Sequence, residues 1–590
     1  MDNGTPFGGI SVRSFGELKR NLRTDASSLP KVRVGLLGDT ATQFLGIALR
    51  GMGVERGFNV ELFEAEYNQI AQEVENLESD LHQFSPEIVI LFQSTHKLLN
   101  EFGEASPENR AHLAEKRMEF IQFAIERMNS KVICFNYPEI DDGVFGNFSN
   151  RTDSSFVYQV RKLNFELMQF AKSAVNFSVC DLASIQNKHG RNYLFNPAVY
   201  TTTDSIFALD AIPFVASRTW DMIEAMRGKF KKCLILDLDN TLWGGVIGDD
   251  GLERIQIGHG LGIGKAFSEF QVWVKKLKQR GILLAVCSKN TESIAKEPFE
   301  KHPDMVLRLD DFAVFVANWE NKVDNIRKIQ QILNIGFDSM VFLDDNPFER
   351  NMVRSAIPEI TVPELPEDPA EYLEFLYGEN LFETSSISSE DGDRTRKYQE
   401  EANRVSLRMN YTEESEYLKN LAMVSQIQKI DSFNIPRVAQ LSQRSNQFNL
   451  RTIRYTDSDV ERLEGDKRYH CRCFTLSDKF GDHGLIAVIF LEILNPKSIF
   501  VDTWLMSCRV LKRGMEVFCL NFIVDYARAE GFEEVISEFR RTAKNALVEE
   551  HYDKLGFQVM EANSENKRYR LDVSTFQNKT CFIAGEGVEP

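Results

Sequence analysis

Nowhere in the 590 residues do 18 uncharged apolar residues run together, so no segment reads as a membrane span. The first residues, MDNGTPFGGI, lack the basic stretch and apolar run of a secretory leader, and a soluble, cytoplasmic protein is expected. Positive charge is in short supply. The 69 Lys+Arg against 87 Asp+Glu give a net −18, which repels a polyphosphate backbone, so nucleic acid is not an expected partner. Cysteine is sparse and odd in number: nine, scattered, with Cys134, Cys233 and Cys287 inside apolar runs, as reduced core thiols are. No disulfides are expected, and Cys471 and Cys473 lack the second pair that a zinc site needs. Internal repeats and low-complexity tracts are missing too.

What is present is alternation of strand-like and helix-like segments in a chain too long for one hydrophobic core. Three divisions are expected: residues 1–225, 226–370 and 371–590. Apolar runs at Val32–Leu37, Glu87–Phe92 and Lys131–Phe135 alternate with helical stretches, the pattern of a doubly wound α/β domain. A second cycle starts at Lys231 with KKCLILD. An amphipathic helix carrying Phe267, Phe270, Val274 and Leu277 on one face follows it, then the strands ILLAVC and MVFLD. Residues 385–396, SSISSEDGDRTR, read as a polar linker. Helical patterns then lead into strands such as 485–494, a helix near 517–529 and a closing HYDKLGF, making a third, α+β part.

The run LILDLDNTLWGG sets Asp237 and Asp239 at the carboxyl end of a buried strand, two residues apart and therefore on the same side. One carboxylate can attack phosphorus and the other can handle the leaving-group proton. Two anions so close need a divalent cation to stay ionised. Asp344 and Asp345 follow another apolar strand, in MVFLDD, and oxygen ligands of this kind suit Mg²⁺. Between the pairs come Ser288-Lys289-Asn290 and Lys322, the hydroxyl and ammonium that orient and neutralise a phosphoryl group.

The segments DLDNTLWGGVIGDDG, SKN, NWENK and FLDDNPFER together resemble the motifs of the haloacid-dehalogenase (HAD) superfamily, subfamily IIIC, the FkbH-like proteins. The resemblance implies a Rossmann-like HAD domain with Asp237 as nucleophile and Asp239 as general acid/base. It assigns phosphate binding to Ser288 and Lys322, with Lys289 and Asn290 beside them on the substrate side. The metal is expected between Asp237, the backbone carbonyl of Asp239, and Asp344, with Asp345 the weaker candidate. Thr241 holds the motif's threonine position and is expected to brace the loop more than to touch substrate. The spacings from 237 to 288 and from 288 to 322 are filled by helices and strands, which leaves no room for a large cap.

The flanks carry two further resemblances. Gly38-Asp39-Thr40 is similar to the GDS block of SGNH esterases with threonine in the serine position. No Asp-x-x-His string follows near the domain's end, so a non-catalytic binding domain is expected. His96 and His189 are expected to be ordinary surface or loop histidines. SCRVLKRGME (507–516) and NALVEEHYDKLGF (545–557) resemble a GNAT acyltransferase, although Lys512 stands where the pyrophosphate loop has its first glycine. DKFGDHGLI (478–486) and QRSNQFNLRT (443–452) also resemble FkbH-like chains. Cys508 is the candidate acyl-carrying thiol, with Arg509, Lys512 and Arg513 as neighbours that favour a thiolate.

FkbH-like proteins load a glyceryl unit from a phosphorylated intermediate onto an acyl carrier protein. The expected function is therefore a HAD phosphatase or phosphotransferase coupled to acyl transfer, with a phosphorylated small molecule and an acyl carrier protein as partners. The rivals are a stand-alone small-molecule phosphatase with accessory binding domains and a non-catalytic scaffold for a phosphorylated partner.

Overall fold

A computed structural model describes residues 13–387, 394–396, 398–400, 404, 411, 413–445, 447–507, 510–542, 544–563 and 565–587. One compact unit ends at Glu224 and a second begins at Ala225. The fold is mixed α/β with two parallel sheets.

In the first unit, β1 (Lys31–Gly38), β2 (Asn59–Glu64), β3 (Ile88–Phe92), β4 (Lys131–Phe135) and β5 (Phe177–Cys180) form a parallel sheet of order β2-β1-β3-β4-β5. β3, IVILF, is buried at every position, as a strand covered on both faces must be. Right-handed crossovers combined with this order place helices on both faces. The His96 and His189 rings are half-buried among aromatics. His96 stacks on Phe195 at 4.1 Å, and His189 lies 4.8 Å from Phe214.

The second unit holds two sheets. β6 (Cys233–Leu236), β7 (Leu283–Ser288), β8 (Val314–Ala317) and β9 (Met340–Leu343) run parallel in the order β8-β7-β6-β9. β6, β7 and β9 are buried throughout, which their unbroken apolar sequences require. Helix Ile263–Gln279 buries Phe267, Phe270, Val274 and Leu277, the face its periodicity marks.

The other sheet has eight strands in the order β15-β16-β14-β13-β12-β11-β10-β17. Its members are β10 (Met423–Lys429), β11 (Tyr469–Asp478), β12 (Gly481–Asn495), β13 (Ser498–Met506), β14 (Glu534–Arg540), β15 (Gln558–Ala562), β16 (Asn566–Asp572) and β17 (Ile583–Gly587). β13 and β14 are parallel and pair only from Ser498↔Glu534 to Val501↔Ser537. Beyond that point the segment Phe448–Arg451 fills the space between them. Met506 N donates to Phe448 O at 3.2 Å and Arg540 N donates to Leu450 O at 2.8 Å. Arg451 reinforces the join, donating Nη1 to Asp502 O and Nε to Glu538.

The eight described cysteines are free thiols. Among the described residues no helix is long and apolar enough to cross a membrane.

Candidate active site

Asp237 follows β6 directly, and its N–H extends the ladder to Leu343 O of β9 at 3.0 Å. Asp344 and Asp345 follow β9, so the two acidic pairs meet at adjacent carboxyl ends because β6 and β9 are neighbours. Lys322 opens helix Lys322–Leu333, whose start is fixed by the Asn321 side chain accepting from Asp324 N. A lysine in the first turn opposes the helix dipole, so carboxylates must hold it there. Its Nζ lies 2.9 Å from Asp237 Oδ2 and 2.6 Å from Asp344 Oδ2. All three side chains are buried, Asp344 completely.

Burial alone would lower the pKa of Lys322, but the charges of Asp237 and Asp344 outweigh it and hold the ammonium above its ordinary value. Burial and then the Asp237 charge push Asp344 up to about 7, with Lys322 opposing. Asp345 is raised for the same first two reasons.

Asp239 is built differently. Its Oδ1 accepts from Trp243 Nε1 at 2.9 Å and from Ile247 N at 3.0 Å, and its Oδ2 accepts from Asn290 Nδ2 at 3.1 Å. Burial raises its pKa despite those bonds. The loop that carries these donors is tight. Asn240 has φ 56° and its side chain accepts from Gly245 N, while Asp250 Oδ2 accepts from Val246 N at 2.7 Å. At Gly245, φ 92°, a Cβ would come within 2.7 Å of Asp250 Oδ2, so only glycine fits.

Asp237 and Asp344 are thus gathered by Lys322, Thr241 holds Asp345, and Asn290 orients Asp239. Thr241 is sealed: its Oγ1 accepts from Asp345 N at 3.1 Å and donates to Asp345 Oδ1 at 3.3 Å. Ser288 ends β7 and is buried, its carbonyl accepting from Asn318 N. Lys289 turns to Glu349, 2.6 Å from Oε1. Cys508 and Arg509 lie outside the described residues, whereas Arg513 is buried with its Nη1 3.0 Å from His483 Nε2.

Trp243, Asp250, Glu349 and Arg350 also build the site, although the motif spacing does not single them out. Arg350 clamps the second acidic pair, donating Nη1 to Asp344 O at 2.8 Å and Asp345 O at 2.7 Å. Its signal was its place within FLDDNPFER.

Carboxylate oxygens of Asp237, Asp344 and Asp345 all lie within 4.8 Å of one another. Asp237 Oδ1 is buried and has no hydrogen-bond partner. An orphaned anionic oxygen among three hard donors is what a divalent cation site presents. Asp239's carboxylate is not part of this group.

These paired acids at neighbouring ends of a parallel sheet, bridged by one lysine, define a phosphatase domain of the HAD type. Residues 33–224 match the family described as FkbH, N-terminal domain. The N-terminal part of the protein BF1531 from Bacteroides fragilis, containing a phosphatase domain and complexed with Mg, is 59% identical. The match covers 63% of this chain and 100% of that one, with a TM-score of 0.62. The chain belongs to this FkbH-like family. Two acetyltransferases overlap the chain at TM-score 0.21, too low to carry an argument. The ribosomal-protein-S18-alanine N-acetyltransferase from Escherichia coli has 14% identity over 27% of this chain and 99% of its own. An N-acetyltransferase from Staphylococcus aureus Mu50 has 16% over 26% and 99%. No curated protein matches.

Proposed function

We propose that this chain is a Mg²⁺-dependent HAD phosphatase or phosphotransferase acting on a phosphorylated small molecule, coupled to transfer of a glyceryl-type acyl group onto an acyl carrier protein. The observation that carries the phosphoryl chemistry is the buried trio Asp237, Lys322 and Asp344, with Asp237 Oδ1 left unpaired. The Mg²⁺ complex of the related Bacteroides fragilis domain supports the choice of metal. Held by Asp237, Asp344 and Asp345, Mg²⁺ would supply the positive charge that lets a phosphate approach three carboxylates.

The residues divide the reaction between them. An Asp237 carboxylate oxygen attacks phosphorus, forming an O–P bond as the bond to the leaving oxygen breaks. Asp239 gives a proton to the leaving oxygen and then takes one from the water that cleaves the acyl phosphate, and burial shifts its pKa upward, in the direction an acid needs. Lys322 offsets charge on Asp237 and on the transferred group. Asn290, Trp243 and the Ile247 N–H fix the Asp239 carboxylate so that no reorientation is needed during transfer.

In this reading residues 1–225 form an SGNH-like, non-catalytic domain, 226–370 the HAD domain, and 371–590 linker helices with a GNAT-like domain. The acyl half rests on the family resemblance and on Cys508 as carrier of the acyl group. Incubation with a phosphoglyceryl donor and Mg²⁺, followed by intact mass of wild type and Cys508→Ala, tests it. An adduct lost on substitution supports the coupling, and an adduct that survives, or forms in neither protein, removes Cys508 from the scheme. Phosphate release unaffected by any carrier protein would leave a stand-alone phosphatase.

A further inference from the structure

The strand order β2-β1-β3-β4-β5 reverses its winding between β1 and β3. In open parallel sheets, the crevice beyond the carboxyl ends of the strands at that reversal is where ligands bind. β1 is followed by Asp39 and β3 by Gln93 and Ser94, all buried, and both oxygens of Asp39 accept the Ser94 N–H at 2.9 Å. Reaching the end of β3 is a cavity of about 410 Å³, lined by Gln93, Glu101, Asn109, Lys116, Arg117 and Phe120 among others. Small-molecule sites run from about 300 to 1,000 Å³.

The polar lining is unfinished. Gln93, only 5% exposed, accepts the Tyr137 hydroxyl on Oε1 at 3.1 Å, and its amide N–H groups have no partner among the described residues. The Arg117 guanidinium donates Nη2 to Glu101, and among the described residues Nε and Nη1 have no acceptor. The Glu101 side chain is 53% exposed, so it can yield that place to a ligand. Lys116 adds a second positive charge, its Nζ 2.9 Å from Asn109 Oδ1. Two more buried hydroxyls at the same strand ends, Thr40 Oγ1 and Thr95 Oγ1, lack partners. Asp39 is not a strong deterrent to an anion, because burial outweighs the Ser94 N–H and the Arg117 charge and pushes its pKa up to about 7. Spare guanidinium and amide donors side by side suit the oxygens of a carboxylate or phosphate.

We propose that this cavity binds a small metabolite through an oxyanion headgroup, with Arg117 and Gln93 as its donors. Nothing in the phosphatase reading requires it. Equilibrium dialysis of the full-length protein in EDTA, against labelled inorganic phosphate and separately labelled malonate, decides the matter. Wild type should bind at least one of the two, and which one identifies the headgroup. Arg117→Gln should weaken that binding about 10- to 100-fold, the loss expected for charge-assisted bonds. Glu101→Gln should tighten it, because it removes the competing carboxylate and leaves the arginine in place. That variant also carries the test should Arg117→Gln fail to fold. Binding of neither ion, or one affinity shared by wild type, Arg117→Gln and Glu101→Gln, overturns the proposal.

Discussion

Lys322 and Asp344 meet at 2.6 Å in a setting almost closed to water, and Asp237 shares the same ammonium at 2.9 Å. One cation therefore holds two buried anions together, and a divalent ion would add to that restraint.

Replacing Lys322 by Met leaves Asp237 and Asp344 facing one another without compensation. The variant should lose about 3–5 kcal/mol in EDTA, the usual loss when one partner of a buried pair is removed. Mg²⁺ should return much of it, since bound metal stabilises the folded state by mass action. Melting curves with and without Mg²⁺ check this. A variant melting no more than 2 °C below wild type in EDTA would contradict it.

Asp237→Asn preserves shape but cannot attack phosphorus. Phosphate release from an aryl phosphate in Mg²⁺ should fall by about 10³-fold or more, with an unchanged circular dichroism spectrum. Retained turnover would end the nucleophile assignment.

The central site was legible because each of its pieces is local: a carboxylate or hydroxyl after an apolar strand. Asp237, Asp239, Ser288 and Asp344 could be placed that way, as could the buried face of helix Ile263–Gln279. What stayed hidden was non-local. The Lys289 partner Glu349 lies 60 positions away, and the clamp on Asp344 and Asp345 uses backbone carbonyls, which carry no residue-type signal. β17 joins the large sheet parallel to β10, pairing Met423 with Ile583 far along the chain, which no periodicity encodes.

Arg404 and Asp478 form a bidentate pair at 2.7 and 2.8 Å with both side chains fully buried. Burial opposes ionisation of Asp478, but His483, Arg404 and a backbone N–H more than reverse it and hold its pKa well below the usual carboxylate range. A depressed folded pKa means that the pair stabilises the fold fully above the unfolded value of about 4 and loses that contribution as pH falls below it. Melting temperature should drop between pH 5 and pH 3, and less steeply in Asp478→Asn. Parallel curves for the two proteins would refute the linkage.

Lys512 has φ 64°, a left-handed conformation that costs an L-residue about 1–2 kcal/mol. Its N–H donates to Glu516 at 3.0 Å, so the backbone is held there. Lys512→Gly should raise stability by about 0.5–1 kcal/mol after the entropy glycine adds to the unfolded chain. Urea titration reads the difference, and a destabilised variant would show that the lysine side chain matters more than its backbone.

The segment Phe448–Arg451, seated between β13 and β14, has a mechanical meaning. Two parallel strands that have begun to diverge are stitched by a piece of chain from more than fifty positions away, so the sheet transmits strain across a seam instead of ending at it. Pulling out that stitch would break backbone bonds to both strands and the Arg451 bonds at once, an all-or-none release in place of gradual widening. The Phe448 ring also packs 6.3 Å from the indole of Trp504, which is almost fully buried. Departure of the stitch would strip one ring from that indole and leave His551 and Tyr552 as its remaining aromatic cover.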